Sequence, residues 1–142
     1  MWLETLTLSA TALFAGAALY VSFVEHPARL SCGSAPALAE WRPSYKRGTL
    51  MQAPLAIAAA LLGLACWWNG GGWLWLVGAI LIGSLVPFTI VVIFPTNHRL
   101  EDAALDGTSD AARQLLIGWG RLHAVRTALG SAALVVMVFA RS

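Results

Sequence analysis

The sequence predicts an all-α integral membrane protein, an up-and-down four-helix bundle forming a single transmembrane domain over residues 1–142. Three observations carry that reading. Hydrophobic residues make up 58% of the chain and charged residues 11%, against about a quarter charged in soluble domains. Charge is segregated, with no Asp, Glu, Lys or Arg between Gly48 and His98. The apolar runs are also long enough to span a hydrocarbon layer of about 30 Å as helices. A net charge of +2 is too small to suggest nucleic acid. The opening Met1-Trp2-Leu3-Glu4 lacks the basic region of a secretory signal.

The first helix is predicted over 5–25. Glu25-His26-Pro27 closes it, because proline disfavours the α conformation in the residue before it. Its inward stripe reads as Gly16, Tyr20, Phe23 and Pro27, with His26 one position off. Gly16 would let a neighbouring helix approach, and a buried Tyr20 hydroxyl would need a partner. Residues 28–47 read as a polar loop holding a short surface helix. Ser34 and Pro36 start that helix, Pro43 ends it, and Trp41 faces the headgroups.

The second helix is predicted over 49–68, with a kink at Pro54. Asn69-Gly70-Gly71-Gly72 then makes a tight turn, since glycine tolerates positive φ. The third helix covers 73–94; Pro87 interrupts it and Pro95 stops it. Trp67, Trp68, Trp73 and Trp75, with Trp2 at the same level, read as an aromatic belt. The fourth helix covers 110–140, capped by Thr108 or Ser109, with Asp110 suiting its positive end. Cys32 and Cys66 fall roughly 20 Å or more apart on helical geometry, beyond the ~7 Å Cα separation a disulfide permits, so both read as free thiols.

All three histidines (His26, His98 and His123) and eight of the nine Lys and Arg residues gather at one end of this topology. Short loops rich in Lys and Arg mark the cytoplasmic side. The histidine end is therefore predicted to face the cytoplasm from the inner membrane, with both termini outside.

The fourth helix carries the most informative pattern. Trp119, His123, Arg126 and Gly130, spaced by four, three and four, share one stripe. Fourteen uncharged residues follow Arg126, so it lies within the hydrocarbon. A central arginine costs about 2.5–3.5 kcal/mol on insertion scales, and Arg126 is expected to face inward with a partner. Arg121 is expected to snorkel to the headgroups. Glu25 is the expected partner for Arg126 or for a histidine.

Three imidazoles can hold zinc or copper, which keeps a histidine-based metal site as one alternative. The spacing is not diagnostic, because the histidines come from three elements and no His-x-x-x-His or Cys-x-x-Cys pair occurs. A second alternative is a non-catalytic membrane protein that binds a lipid, a quinone or a partner subunit, its polar stripe locking the helices. Lipid-facing small residues leave room for a homo-oligomer. No phosphate-binding loop or nucleophile elbow is present.

Four pieces in order resemble a known family. They are Gly16, Tyr20 and His26-Pro27; Trp41 before the second helix; Pro87-Phe88-Thr89 with Pro95-Thr96-Asn97-His98-Arg99-Leu100; and Trp119, His123 and Arg126. The chain resembles bacterial-type members of the DUF1772, or anthrone oxygenase-like, membrane proteins. The resemblance covers nearly the whole chain, and its last two pieces are the most specific. It implies a four-helix membrane bundle first and, by way of some fungal members, oxidation of an anthrone to an anthraquinone by O₂ with no added cofactor.

On that implication, His123 or His98 is the general base. Asn97 and Arg126 donate to the enolate oxygen, and Trp119 forms an aromatic wall. Tyr20, Glu25 and His26 complete the substrate site. The implied partners are membrane lipid, O₂ and an apolar aromatic molecule that reaches the site sideways from the bilayer.

Overall fold

The structure, a computed structural model, describes residues 1–142 and contains helices and no strands. Four long helices cross the molecule: α1 (Trp2–Ser31), α2 (Ser34–Trp68), α3 (Trp73–Glu101) and α4 (Asp110–Arg141). Each packs on its neighbour in sequence, and α1 packs on α4, so the bundle closes on itself. All four are long and apolar enough to cross a membrane. Only 31 of the 142 residues are buried, while Leu13, Leu61, Ile80, Val91 and Phe139 point outward. An outside built of large apolar side chains suits lipid rather than water. The chain is a four-helix membrane bundle, as its sequence predicts.

Small side chains bring the helices together. Met137 of α4 fills the space left by Gly63 and Gly78, where an added Cβ would come within 2.9 and 2.5 Å of it. Thr7 and Thr11 are buried in α1 and return their hydroxyls to the carbonyls of Leu3 and Thr7, at 2.8 Å each. Around them lies one apolar cluster containing Phe14, Ala59, Cys66, Trp75, Ile82 and Met137. A second cluster, with Leu38, Trp41, Ile93, Leu100, Leu116 and Trp119, occupies the other end.

The prolines behave differently from the sequence expectation. Pro27 does not close α1 and Pro95 does not stop α3. Each is preceded by one π-helical turn, Val21–Glu25 and Thr89–Ile93. There the N–H of His26 reaches back to the carbonyl of Val21, and that of Phe94 to Thr89. A proline ring clashes with the carbonyl four residues earlier in a regular helix. A wider turn immediately before the ring lets the helix continue. Helix α2 likewise runs through Pro43 and Pro54 without a break.

The expected polar loop over 28–47 therefore shrinks to Cys32 and Gly33, with Gly33 at φ 94°. The start expected for the second helix at Thr49 moves back to Ser34, and the end expected for the third at Phe94 moves on to Glu101. At 35 residues, α2 is about 52 Å long, so its first turns stand out of the hydrocarbon. Arg42 holds α3 against them, donating to the carbonyls of Leu100 at 3.1 Å and Asp102 at 2.9 Å. In the loop before α4, the Thr108 hydroxyl donates to Asp106 and holds its carboxyl below the usual carboxylate range. Ser109 caps α4, accepting from the N–H of Ala112 at 3.1 Å.

Three face assignments change as well. Gly16, Tyr20 and Phe23 face outward; the inward stripe of α1 is Thr7, Thr11, Ala15, Ala18, His26 and Arg29. Trp41 is fully buried instead of lying at the headgroups. Trp75 also belongs to the core, whereas Trp2, Trp67, Trp68 and Trp73 stay exposed near the glycine turn. Both cysteines are free.

Backbone and side-chain crowding should separate experimentally. A Cβ on Gly71 would meet the carbonyl oxygen of Cys66 at 2.7 Å, whereas one on Gly16 meets nothing within 4 Å. Gly71→Ala is expected to destabilise the bundle by about 1–3 kcal/mol. Gly16→Ala should leave the thermal midpoint in detergent within about a degree of the unmodified protein, since surface changes away from packed features cost little.

Candidate functional site

Interleaved with the second apolar cluster is a group of buried polar side chains: His26, Arg29, Gln52, Asn97, His123 and Thr127. Each helix contributes at least one. Buried polar groups need partners, and their partners divide this group into two parts.

The first part is centred on Arg29, a residue the sequence reading counted only among the charges of this end. Arg29 is 6% exposed. It donates to Glu25 at 2.5 Å and to Ser44 at 3.0 Å, and it pairs with Glu40. Ser44 in turn donates to Glu25 at 2.5 Å. Glu25 is thus the partner of Arg29 rather than of Arg126. Helices α1 and α2 are tied by a charge-assisted network, the strong kind of hydrogen bond.

His26 belongs to the same part, although its sequence position suggested a helix-ending residue. Its Nε2 lies 2.9 Å from the Leu116 carbonyl, and its Nδ1 lies 3.4 Å from Arg29 Nη1. A carbonyl only accepts and a guanidinium only donates. The network therefore assigns His26 as the neutral Nε2–H tautomer with both nitrogens engaged. This contact needs Gly120, where an added Cβ would stand 2.6 Å from the His26 ring.

Trp119 connects the two parts. The His26 ring lies 5.0 Å from it and the His123 ring 4.9 Å, the latter stacked at 28°. Trp41 meets it edge-on at 5.8 Å, and the Arg29 guanidinium lies 5.8 Å from its centre. Trp41 is itself stacked on Tyr45 at 4.6 Å.

The second part is less fully engaged. His123 Nδ1 lies 3.1 Å from Ser22 Oγ, which lies 2.7 Å from Thr127 Oγ1. Thr127 Oγ1 also lies 3.1 Å from the carbonyl oxygens of Ala18 and His123. Ser22 thus joins His123 Nδ1 to Thr127, while His123 Nε2 has no hydrogen-bond partner within the chain.

Arg126 donates to Gln52 Oε1 at 3.2 Å, and its guanidinium lies 5.7 Å from the Phe14 ring. Its Nε is buried without a partner, as is Asn97 Oδ1. Asn97, Trp119, His123 and Arg126 line one chamber of about 40 Å³ with Gln52 and Thr49. A single water needs roughly 10–15 Å³, so the chamber takes small molecules and not a ring system.

Four of the eight residues singled out by sequence thus share the chamber, and His26 stands behind its tryptophan wall. Glu25 and Tyr20 line a separate open groove between α1 and α2. Tyr20 is 56% exposed there and does not join the interior group. His98 is exposed beside Phe94, their rings 6.0 Å apart. The histidines do not converge: no group of three or more His, Cys, Asp or Glu side chains is arranged to hold a metal ion. Sequence reasoning missed Arg29, Ser22, Gln52 and Thr127. Gln52 had a usable signal, as a polar residue inside the long uncharged run.

A sequence profile described as anthrone oxygenase matches residues 41–136, about two thirds of the chain. The match takes in Asn97, Trp119, His123 and Arg126 and begins after α1. The chain is also 36% identical over 62 residues to the protein named anthrone oxygenase tpcL from Aspergillus fumigatus, which covers 42% of this chain and 38% of that one. The chain thus spans less than half the length of the relative it matches. No solved structure matches it significantly.

The place of Gly120 can be tested directly. Gly120→Ala puts a methyl group into the His26 ring, and the ring must leave the Leu116 carbonyl. The expected result is a destabilisation of about 1–3 kcal/mol, read as a lowered thermal midpoint, together with a change in Trp119 fluorescence. Gly118→Ala, where nothing lies within 4 Å of the new Cβ, is the matched control and should change neither.

Proposed function

We infer the function of this chain from one premise: it belongs to the anthrone oxygenase family. The reading is a cofactor-independent oxygenase that acts on an apolar aromatic ketone of the anthrone class. The observation that supports it is the shared chamber, lined by His123, Arg126 and Asn97 together.

An anthrone has an acidic C–H group opposite a ketone. His123 takes that proton, Ser22 fixing its tautomer from behind. The enolate oxygen carries the charge left on the substrate and is held by Arg126, with the Nδ2–H₂ group of Asn97 as the second donor. Donors already in place for a developing charge lower the barrier without reorganisation. The enolate is electron-rich enough to reduce O₂ directly. The carbon–oxygen bond forms, the peroxide takes up the proton, and loss of water leaves the new ketone. One oxygen atom of O₂ enters the product and the other leaves as water, so the balance needs no outside reductant.

Trp119 serves as an aromatic wall, and the bilayer supplies both substrate and O₂. By the excess of Lys and Arg at the polar end, that end lies on the cytoplasmic side of the inner membrane with both termini outside. The second reading, a non-catalytic bundle that binds a lipid, a quinone or a partner subunit, draws on the same polar layer acting as a lock.

Turnover of anthrone by purified protein in lipid nanodiscs separates the readings. His123→Ala is expected to lower kcat by about 10²–10⁴-fold, the usual range for a general base, and Ser22→Ala to lower it less. His98→Ala should leave it within about twofold, because that side chain is outside the chamber. Absence of turnover in folded, unmodified protein favours the non-catalytic reading. Equal activity of His123→Ala and the unmodified protein removes His123 from the chemistry.

A further inference from the structure

The polar chamber is too small for three fused rings, yet it is not isolated. A second cavity of about 170 Å³ lies between α2 and α3 and shares Thr49, Thr89 and Arg126 with the chamber. Its walls are Ala53 and Ile57 from α2 and Val86, Ile90 and Phe94 from α3. Ile57 and Ile90 are 46% and 55% exposed on the outer surface, so the cleft opens toward the hydrocarbon. We propose that this cleft binds the ring system of an aromatic ketone from within the bilayer, with the ketone oxygen directed at Arg126.

The occupant follows from the two ends of the cleft. Along its walls, Thr49 and Thr89 are the only polar residues besides Arg126, so the body of the ligand is apolar. At its inner end stands a cation without a counter-charge. None of the ion pairs in the chain includes Arg126; a neutral amide and a phenyl face are its neighbours, and its Nε is buried without a partner. A guanidinium in apolar surroundings is costly until an acceptor oxygen reaches it. A ligand with an apolar body and one acceptor edge meets both conditions, whereas a pure hydrocarbon meets only the first. This inference rests on the oxygenase reading for its substrate class and stands on the cleft for its location.

The test uses full-length protein in phosphatidylcholine nanodiscs, with anthraquinone and anthracene as probes and partition into empty discs subtracted. Unmodified protein is expected to bind anthraquinone about tenfold more tightly than anthracene, the scale of one charge-assisted hydrogen bond. Arg126→Gln should abolish the difference. Ala53→Phe and Val86→Phe, which fill the cleft, should weaken both probes by about tenfold or more, since a blocked site loses the contacts of a whole ring. Ala124→Phe, on the exposed surface between α1 and α4, should leave both unchanged.

Equal affinity of the unmodified protein for the two probes overturns the proposal. So does undiminished binding to folded Ala53→Phe and Val86→Phe, and so does release of anthraquinone when the discs are made of phosphatidylglycerol, which would assign the cleft to lipid. Binding is measured without turnover, and the two failures differ. Protein that binds but never oxidises anthrone removes the oxygenase reading alone. Protein that oxidises anthrone with an unchanged KM in Ala53→Phe removes the cleft alone.

Discussion

A guanidinium held away from water has to be answered by the protein itself, and the way this bundle answers Arg29 sets the plan of its polar end. Two carboxylates and a hydroxyl surround Arg29. Of the three, Glu25 comes from α1, while Glu40 and Ser44 come from the part of α2 that extends beyond the uncharged run. Arg29 is nearly buried while its carboxylate partners reach toward solvent, so the charge of Arg29 depends on both helices holding their places. The arrangement therefore fixes the level and rotation of α1 against α2. His26, Trp119 and Trp41 are stacked on that fixed point. Arg126 is treated differently: an amide and an aromatic face border it and no carboxylate does.

The two interior histidines show the same division. His26 spends both nitrogens on the protein, so it can neither accept a proton from a ligand nor turn without breaking the packing of α4. His123 spends one nitrogen on the Ser22 and Thr127 hydroxyls, and its other nitrogen has no partner within the chain. The two rings flank Trp119 at nearly equal distances, so their difference comes from hydrogen bonding and not from position.

Much of this was legible in the sequence. Charge segregation and run length identify the membrane bundle, and the four-three-four spacing finds Trp119, His123, Arg126 and Gly130, all of which lie inward. On α1 the expected inner stripe of Gly16, Tyr20, Phe23 and Pro27 lies outward. The inner face is instead Thr7, Thr11, Ala15, Ala18, His26 and Arg29, with Phe14 the one large apolar side chain among them. His98 attracted attention as a histidine, yet its neighbour Asn97 is the residue that points in; one step along a helix turns a side chain by about 100°. Gln52, the partner of Arg126, is neutral, so a pattern of charges does not mark it. The helices pass through Pro27 and Pro95 on widened turns, and such turns leave no mark in hydropathy.

Those widened turns carry a consequence for how such chains can diverge. A π-helical turn is an α-helix holding one residue more than its period allows, and helices often keep one at a functional site. Val21–Glu25 and Thr89–Ile93 each lie just ahead of residues that face the polar layer. Everything beyond such a turn is therefore out of phase with the helix before it. Loss of one residue from Val21–Glu25 would restore regular winding and swing His26 and Arg29 by about 100° toward the lipid. Single-residue insertions and deletions at these two places, more than substitutions in the chamber, are the changes that would give this bundle a different interior while leaving its outer surface fit for the same bilayer.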